Sequence, residues 1–424
     1  MAKLTIEQLD LPGKRIFLRA DLNAPTDGGA VTKLTIEQLD LPGKRVFLRA
    51  DLNAPIDNGA VTDDTRLRAV VPTIQYALGA GAAVVLASHL GRPKGKPTPE
   101  FSLRPVAEQL AALLALPVPL APDCVGDQVS EQARALKPGQ VLLLENLRFH
   151  KEEEANDDAF ARALAGLGDC YVNDAFAAAH RAHASIEAIT RHLQPAAAGL
   201  LMQRELAALT RILQAPERPL MAVLGGAKVG DKVALVENLL SRVDALVIGG
   251  GMAFTFLRAL GHDIGRSLVE PDRIETARRV LESARRRGIP VVLPVDTIVA
   301  EGPDSPAGRA VSVREIPPTL MGLDIGPLTV TRFAAAVKEA RTIVWNGPMG
   351  VFEKPAFAAG TIDLARAVAE SRAFSVIGGG DTVAAVNLAR VADRIGYIST
   401  AGGAFLEFLE GRTLPGVEAL TEAR

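Results

Sequence analysis

The chain carries only two cysteines and one tryptophan in 424 residues, and aromatics make up 4%. Cys124 and Cys170 stand far apart without Cys-x-x-Cys spacing, so the sequence offers no disulfide framework and no zinc motif. Both read as small buried hydrophobes. A surplus of charge is also missing: 47 Lys and Arg against 49 Asp and Glu give a net charge of −2, which removes any global pull toward nucleic acid or an anionic membrane. No apolar run approaches the roughly 18 residues of a membrane span. The opening Met1–Asp10 has acidic residues where a signal peptide would be apolar. The expectation is a cytoplasmic protein that recognises its ligands locally. Hydrophobic residues reach 48%, and with so few aromatics this suits covered parallel sheets of Ala, Val and Leu. The length exceeds what one core serves, so two or three domains are expected.

The first positive feature is a tandem duplication. Residues 3–32 and 33–62 agree at 27 of 30 positions, differing at Ile16/Val46, Thr26/Ile56 and Gly28/Asn58. No third copy follows, so this is not a solenoid. Each copy holds a basic-to-apolar strand ending in Asp-Leu-Asn-Ala-Pro. Asn53 and the helix residue Arg66 are thirteen apart, whereas Asn23 is 43 from Arg66. Connectivity therefore assigns the second copy to the fold and leaves residues 1–32 as a surface appendage. The spare strand invites swapping at high concentration.

From Asp63 the pattern alternates: helix 66–80, strand 83–88, helix 103–114, strand 118–120, a helix near 130–136, helix 157–167 and strand 170–173. Strands separated by helices give a parallel sheet whose loops share one edge. Asp51, Asn53, His89, Arg92, Arg148 and Arg181 follow strand ends, and Arg66 opens a helix, so they converge on one rim. Guanidinium forks bind carboxylate and phosphate bidentately, and this cluster suits a small substrate bearing both groups. The His180-x-x-His183 pair lacks a third ligand nearby and is not taken as a metal site.

A long amphipathic helix over 200–213 reads as a domain connector. Beyond it a second series begins with the strand Leu220–Leu224 and the turn Gly225-Gly-Ala-Lys-Val-Gly-Asp-Lys232. Glycines permit close backbone approach, a helix start adds partial positive charge, and Lys228 and Lys232 lie one turn apart. The turn is a near miss to the Walker A pattern, since Asp231 intervenes between Gly230 and Lys232. Alone, a glycine turn beside two lysines is more often an ordinary strand-to-helix connection with solvated charges. Strands 245–248, 291–294, 342–344 and 374–377 follow. They are accompanied by Gly249-Gly-Gly, Gly322-Leu-Asp-Ile-Gly-Pro, Trp345-Asn-Gly-Pro and Gly378-Gly-Gly-Asp-Thr, a second rim of backbone N–H groups suited to a nucleotide. Neither triple glycine has the third glycine of Gly-x-Gly-x-x-Gly, which disfavours a dinucleotide enzyme.

Over residues 33–424 the chain resembles phosphoglycerate kinases. The resemblance rests on Arg-Ala-Asp-Leu-Asn (49–53), Ser-His-Leu-Gly-Arg-Pro (88–93), Leu-Leu-Glu-Asn-Leu-Arg-Phe-His (143–150) and Asn-Asp-Ala-Phe (173–176) with His-Arg-Ala-His (180–183). Gly-Gly-Ala-Lys (225–228), Trp-Asn-Gly-Pro (345–348) and Gly-Gly-Gly-Asp-Thr (378–382) complete it. It implies transfer of the acyl phosphate of 1,3-bisphosphoglycerate to MgADP, giving 3-phosphoglycerate and MgATP. It assigns the phosphoglycerate site to Asp51, Asn53, Arg66, His89, Leu90, Gly91, Arg92, Arg148 and Arg181. The ATP/ADP site falls on Lys228, Lys232, Gly250, Gly322, Asn346, Glu353, Gly379, Gly380, Asp381 and Thr382. Catalytic roles fall on Lys232, Arg66, Gly379 and Gly380, with Asp381 the Mg2+ ligand.

The implied fold is α/β: two doubly wound parallel-sheet, Rossmann-like domains joined by an interdomain helix, with a cleft between them. The expected division is 1–32 as appendage, 33–198 for phosphoglycerate, 199–214 as interdomain helix, 215–403 for nucleotide and 404–424 returning toward the first domain. A monomer is expected, with small-molecule substrates and neither nucleic acid nor membrane as partner. Two departures stand out: the extra N-terminal copy, and Ala401 where the family usually has glycine. If that position needs φ > 0, alanine costs on the order of 1 kcal/mol. Residue reading alone leaves open a ligand clamp without chemistry and, less well, a P-loop NTPase.

Overall fold

The computed structural model describes residues 33–423; the duplicated segment 1–32 lies outside the described residues. Two parallel sheets dominate. The first has five strands in the order Val141–Leu143, Ala83–Ala87, Arg45–Arg49, Cys170–Asn173, Ala196–Ala198. The second has six, in the order Val291–Val292, Ala245–Ile248, Leu220–Leu224, Thr342–Asn346, Phe374–Gly378, Tyr397–Ile398. In each, the first strand in sequence is internal and the chain winds outward on one side before returning to the other. The topological switch points therefore lie between the strands Arg45–Arg49 and Cys170–Asn173, and between Leu220–Leu224 and Thr342–Asn346. Ligands of such sheets bind just beyond the carboxyl ends there.

Burial on both faces explains why these segments read as continuous apolar runs. Val46 and Leu48 share a core with Leu67, Val70 and Ile74 of the helix Thr65–Gly79. Phe47, on the opposite face, stacks on Tyr171 at 6.2 Å. Along the second sheet Leu220, Ala222 and Leu224 pack on one side, Met221 and Val223 on the other. The period of two thus places helices on both faces. The strand Arg45–Arg49 comes from the second copy of the repeat, and it fills a central place in the first sheet.

The helix Leu200–Gln214 links the two sheets and buries Met202, Leu209 and Ile212 in a core reaching into both. Its start is capped by Asp174, whose Oδ1 accepts from Leu201 N at 2.8 Å and Met202 N at 3.0 Å. The chain end returns to the first sheet, where Leu34 N donates to Thr421 O at 2.7 Å and Thr421 N to Ala196 O at 2.9 Å.

Two sequence expectations are corrected. Residues 118–120 form no strand, only a single bridge from Leu120 to Leu143; Pro117, Pro119 and Pro122 remove the donors a ladder needs. Gly322 sits inside a strand rather than in a turn. Met321–Ile325 pairs antiparallel with Asp296–Ala300, which also pairs with Arg309–Ser312. This small sheet escaped the sequence reading because its bulge at Ile298/Val299 breaks the alternation.

Candidate functional site

At the first switch point the rim is built from side chains that hold one another. Asp51 Oδ2 accepts from Arg66 Nη1 at 2.8 Å, while its Oδ1 accepts from Asn53 N at 3.1 Å. Asn53 Oδ1 accepts from Gly91 N at 2.9 Å, and Arg148 Nη1 donates to Gly91 O at 2.8 Å. The His89–Leu90–Gly91 loop is therefore clamped from two strands. Asn146 fastens it further, exchanging bonds with Leu90 N at 3.2 Å and Leu90 O at 2.8 Å while its Oδ1 accepts from Arg148 N at 3.0 Å. Gly91 has φ +60°, and a Cβ there would meet the Phe101 ring at 2.3 Å, so only glycine fits this loop.

Arg49, not singled out from the sequence, is buried at the centre of the cluster. Its Nη2 lies 3.1 Å from His89 Nδ1 and its Nε donates to Ser185 Oγ at 2.8 Å. Ser185 Oγ in turn donates to the buried Glu153 at 2.6 Å. A guanidinium can only donate, so His89 Nδ1 accepts and the ring proton sits on Nε2. His89 is held well below the usual histidine range by burial, then by Arg49, Arg148 and Arg66. It presents a neutral N–H donor. His183 is pushed down to about 3, first by burial and then by Arg49, Arg148 and Arg181. Arg148 is itself lowered by burial, with Arg181 and Arg49 repelling it; Glu154 at 3.3 Å offsets part of this. Four arginines and two neutral histidines thus act on one another electrostatically, with Asp51, Glu153 and Glu154 as nearby counter-charges. Such a site gains by receiving an anion. Arg181 donates from Nε to His180 at 2.8 Å. Arg92 is exposed and makes no bond to the cluster among the described residues.

The second rim is built from backbone. Lys232 Nζ donates to Gly225 O at 2.6 Å and Asn346 O at 3.1 Å, the two carbonyls that flank the second switch point. Gly250 has φ +65°, and a Cβ there would come within 2.6 Å of Gly226 N and Pro348 O. Asn346 Nδ2 donates to Gly378 O at 2.7 Å, and Gly347 N to Thr382 Oγ1 at 2.7 Å. Gly379, at φ +94°, turns the chain into the helix Gly380–Leu388, whose first N–H groups have no intrahelical partner. Asp381 and Glu353 are exposed, as is Lys228. One expectation changes: the N–H groups of Val229 and Gly230 both donate to Glu270 Oε2. The glycine turn after Leu224 already holds a carboxylate of its own. The helix start on this rim whose N–H groups have no partner among the described residues is instead the one at Gly379–Thr382.

Beside the linking helix a small pocket is lined by Asp51, Arg66, Asp174, Phe176, Leu201 and Thr400, residues of the first rim, of that helix and its approach, and of the segment after the last strand of the second sheet. Glu205 of that helix is fully buried, and its Oε1 accepts from Thr400 N at 3.0 Å. The left-handed conformation in this segment falls on Gly402, φ +54°, and Ala401 is not among the positive-φ residues. The strain considered for Ala401 is absent.

The family model for phosphoglycerate kinase matches residues 36–412. Proteins called phosphoglycerate kinase from Moorella thermoacetica and Acidobacterium capsulatum are each 55% identical over the full length of both chains. The solved phosphoglycerate kinase of Coxiella burnetii superposes with a TM-score of 0.84 at 45% identity, covering 91% of this chain and 98% of that one. That of Pyrococcus horikoshii gives 0.80 at 35% identity with the same coverage.

Proposed function

The chain belongs to the phosphoglycerate kinase family, and on that premise we propose how its two rims divide the work. It is a phosphotransferase of glycolysis, moving a phosphoryl group between 1,3-bisphosphoglycerate and ADP. The bond from phosphorus to the carboxyl oxygen breaks and one to the β-phosphate oxygen of ADP forms, leaving 3-phosphoglycerate and ATP. Attacking and leaving oxygens are both anionic, so no general base is needed, and catalysis is positioning plus charge stabilisation.

The phosphoglycerate lies on Asp51, Asn53, Arg66, His89, Leu90, Gly91, Arg92, Arg148 and Arg181. Arginines grip its carboxylate and phosphate, and the neutral His89 donates. The nucleotide lies on Lys228, Gly250, Gly322, Asn346, Glu353, Gly379, Gly380, Asp381 and Thr382. Lys232 serves both sides: carbonyls fix its ammonium at the switch point, where it meets the phosphoryl group in transit. Asp381 would hold Mg2+, since its carboxylate is exposed at a helix start and bonded to no described residue, leaving the hard oxygen donors this ion takes. When bound, the ion neutralises charge on the nucleotide phosphates.

The observation that carries this reading is that Arg66 and Thr400, which belong to opposite halves, line one small pocket beside the linking helix. The division proposed is 33–198, 199–214 and 215–403, with 404–424 returning to the first half, and the linking helix closes the halves over both substrates. The protein acts as a cytoplasmic monomer; among the described residues no helix is long and apolar enough to cross a membrane. A coupled assay with ATP and 3-phosphoglycerate tests the activity. Small-angle scattering tests closure: the radius of gyration should fall only with both substrates, and an unchanged ternary value would remove the hinge. Trp345 is buried and its Nε1 donates to Gly347 O at 2.8 Å, so its fluorescence should report nucleotide binding.

A further inference from the structure

We infer that Asp123, Cys124 and His150 form a binding site for a zinc-class divalent cation, separate from the magnesium and phosphoglycerate positions. The three offer a carboxylate oxygen, a thiol sulfur and an imidazole nitrogen, all within 4.8 Å of one another. The fold brings them together although Cys124 and His150 are 26 residues apart in sequence. Leu120 bridges to Leu143, and Asp123 O accepts from Glu145 N at 3.3 Å, which lays the Asp123–Cys124 segment beside the end of the edge strand. His150 reaches the same place from the far end of the turn Leu147–Phe149.

The ligands are already oriented. The His150 ring stacks on Phe160 at 5.2 Å, and its Nε2 lies 2.7 Å from Asp123 Oδ1, which also accepts from Cys124 N at 2.6 Å. Tetrahedral zinc with bonds of about 2.0–2.3 Å places its ligand atoms roughly 3.3–3.8 Å apart, so closing this triad takes shifts on the order of 1 Å. Cys124 is fully buried, whereas the side chains of Asp123 and His150 are 46% and 27% exposed. An ion therefore enters on the carboxylate side, and the fourth position opens to water, the arrangement of a three-ligand zinc site. On binding, the thiol proton leaves to solvent and the sulfur–metal bond takes its place. A thiolate with an imidazole selects zinc, cobalt or copper over magnesium, so the reaction's own cation does not compete. Ligation would tie the Leu147–His150 turn to the sheet edge and stabilise the first half.

The test uses the full chain, stripped with chelator and titrated with cobalt(II), then zinc(II). One equivalent of cobalt should give thiolate-to-metal charge-transfer absorption, bleached by zinc, and zinc should raise the melting temperature. Cys124→Ala should abolish the absorption. The partly exposed Asp123→Asn, which poses little threat to folding, should weaken zinc affinity at least about tenfold, the scale seen for loss of even an outer-shell partner. Cys170→Ala should change neither. A wild-type protein without thiolate absorption would overturn the inference. So would zinc binding at full strength in Asp123→Asn and Cys124→Ala, which would place the ion elsewhere, for example at His180 and His183.

Discussion

On the first rim Asp51 holds Arg66 at 2.8 Å and Asn53 holds Gly91 at 2.9 Å; on the second, Gly250 and Gly379 adopt φ of +65° and +94° so that backbone can reach where a side chain could not. In the proposed division the first rim would meet its anion with charged side chains, which other side chains keep in place. The second would use backbone dipoles together with Lys228 and Lys232, the latter fixed by two carbonyls. A small substrate with two anionic ends has a shape that forks of fixed geometry can match, whereas a nucleotide's phosphates need close approach along a chain. On the first rim the charged groups and the groups that hold them are separate side chains, whereas on the second the backbone that makes the turn is also the proposed donor.

Lys232→Ala gives the largest expected loss. Removing one preorganised charge donor should lower kcat by about 10²–10³-fold with little change in nucleotide KM. Steady-state kinetics check this, and a mild, equal change in both parameters would sink the assignment. Arg181→Ala should act differently. In the proposed grip its guanidinium binds the anion, and one charge-assisted bond contributes roughly 1.5–3 kcal/mol, so the phosphoglycerate KM should rise about 10- to 100-fold and the nucleotide KM stay near wild type.

The glycines sharpen the contrast. A Cβ at Gly379 would lie 2.6 Å from Asn346 Nδ2 in a left-handed backbone, while one at Gly380 meets nothing within 4 Å. Gly379→Ala should therefore cost about 1–3 kcal/mol of stability along with activity. Gly380→Ala should keep the melting temperature and raise only the nucleotide KM. Equal melting losses in both would show that the second rim tolerates side chains no worse at one position than at the other.

Acid should find the first rim. His183 is held at about 3 by burial, then by the charges of Arg49, Arg148, Arg181 and the neighbouring His180, with Glu153 3.9 Å away. Its folded pKa lies below the unfolded value of about 6.5, so the unfolded chain binds the proton first. The stability this provides is present above about pH 6.5 and is lost as pH falls toward 3, by up to about 1.4 kcal/mol per pH unit. Urea midpoints from about pH 7 to 4.5 should fall less steeply in His183→Gln than in wild type. An unchanged slope would show that this histidine charges freely in the folded protein.

Much of this was legible from residue order. The central strands 170–173, 220–224 and 245–248 were readable to the residue because apolar runs bounded by glycine and charge have few other meanings. Arg148 and Arg181 could be placed near one another because they follow strand ends, yet Arg92 follows one too and makes no bond to the cluster among the described residues. Arg49 was not readable, since an arginine inside an apolar strand reads as solvated until Ser185 and Glu153, more than a hundred residues later, are seen to compensate it. Glu270 escaped for the same reason: it occupies the Val229 and Gly230 N–H groups from some forty residues away. Long-range partners that neutralise a local motif leave no local trace.

The smallest expected effect tests whether position, rather than composition, makes the first rim. Asp21 and Asp51 occupy identical places in the two copies, and the strands differ by one methylene at Ile16/Val46, worth about 1 kcal/mol at most. The described fold places Arg45–Arg49 between two parallel neighbours, with Asp51 bonded to Arg66. Arg66 opens the helix that directly follows the second copy, which fixes the loop between them at a length the first copy lacks. Deleting residues 3–32 should therefore leave kcat and both KM values near wild type, and Asp21→Ala should do nothing measurable. Asp51→Ala in the full chain should remove most activity, because it frees Arg66 from its partner and Asn53 from its turn. An inactive deletion together with a damaging Asp21→Ala would mean that the first copy supplies the working strand, and the assignment of Asp51 and Asn53 would be wrong.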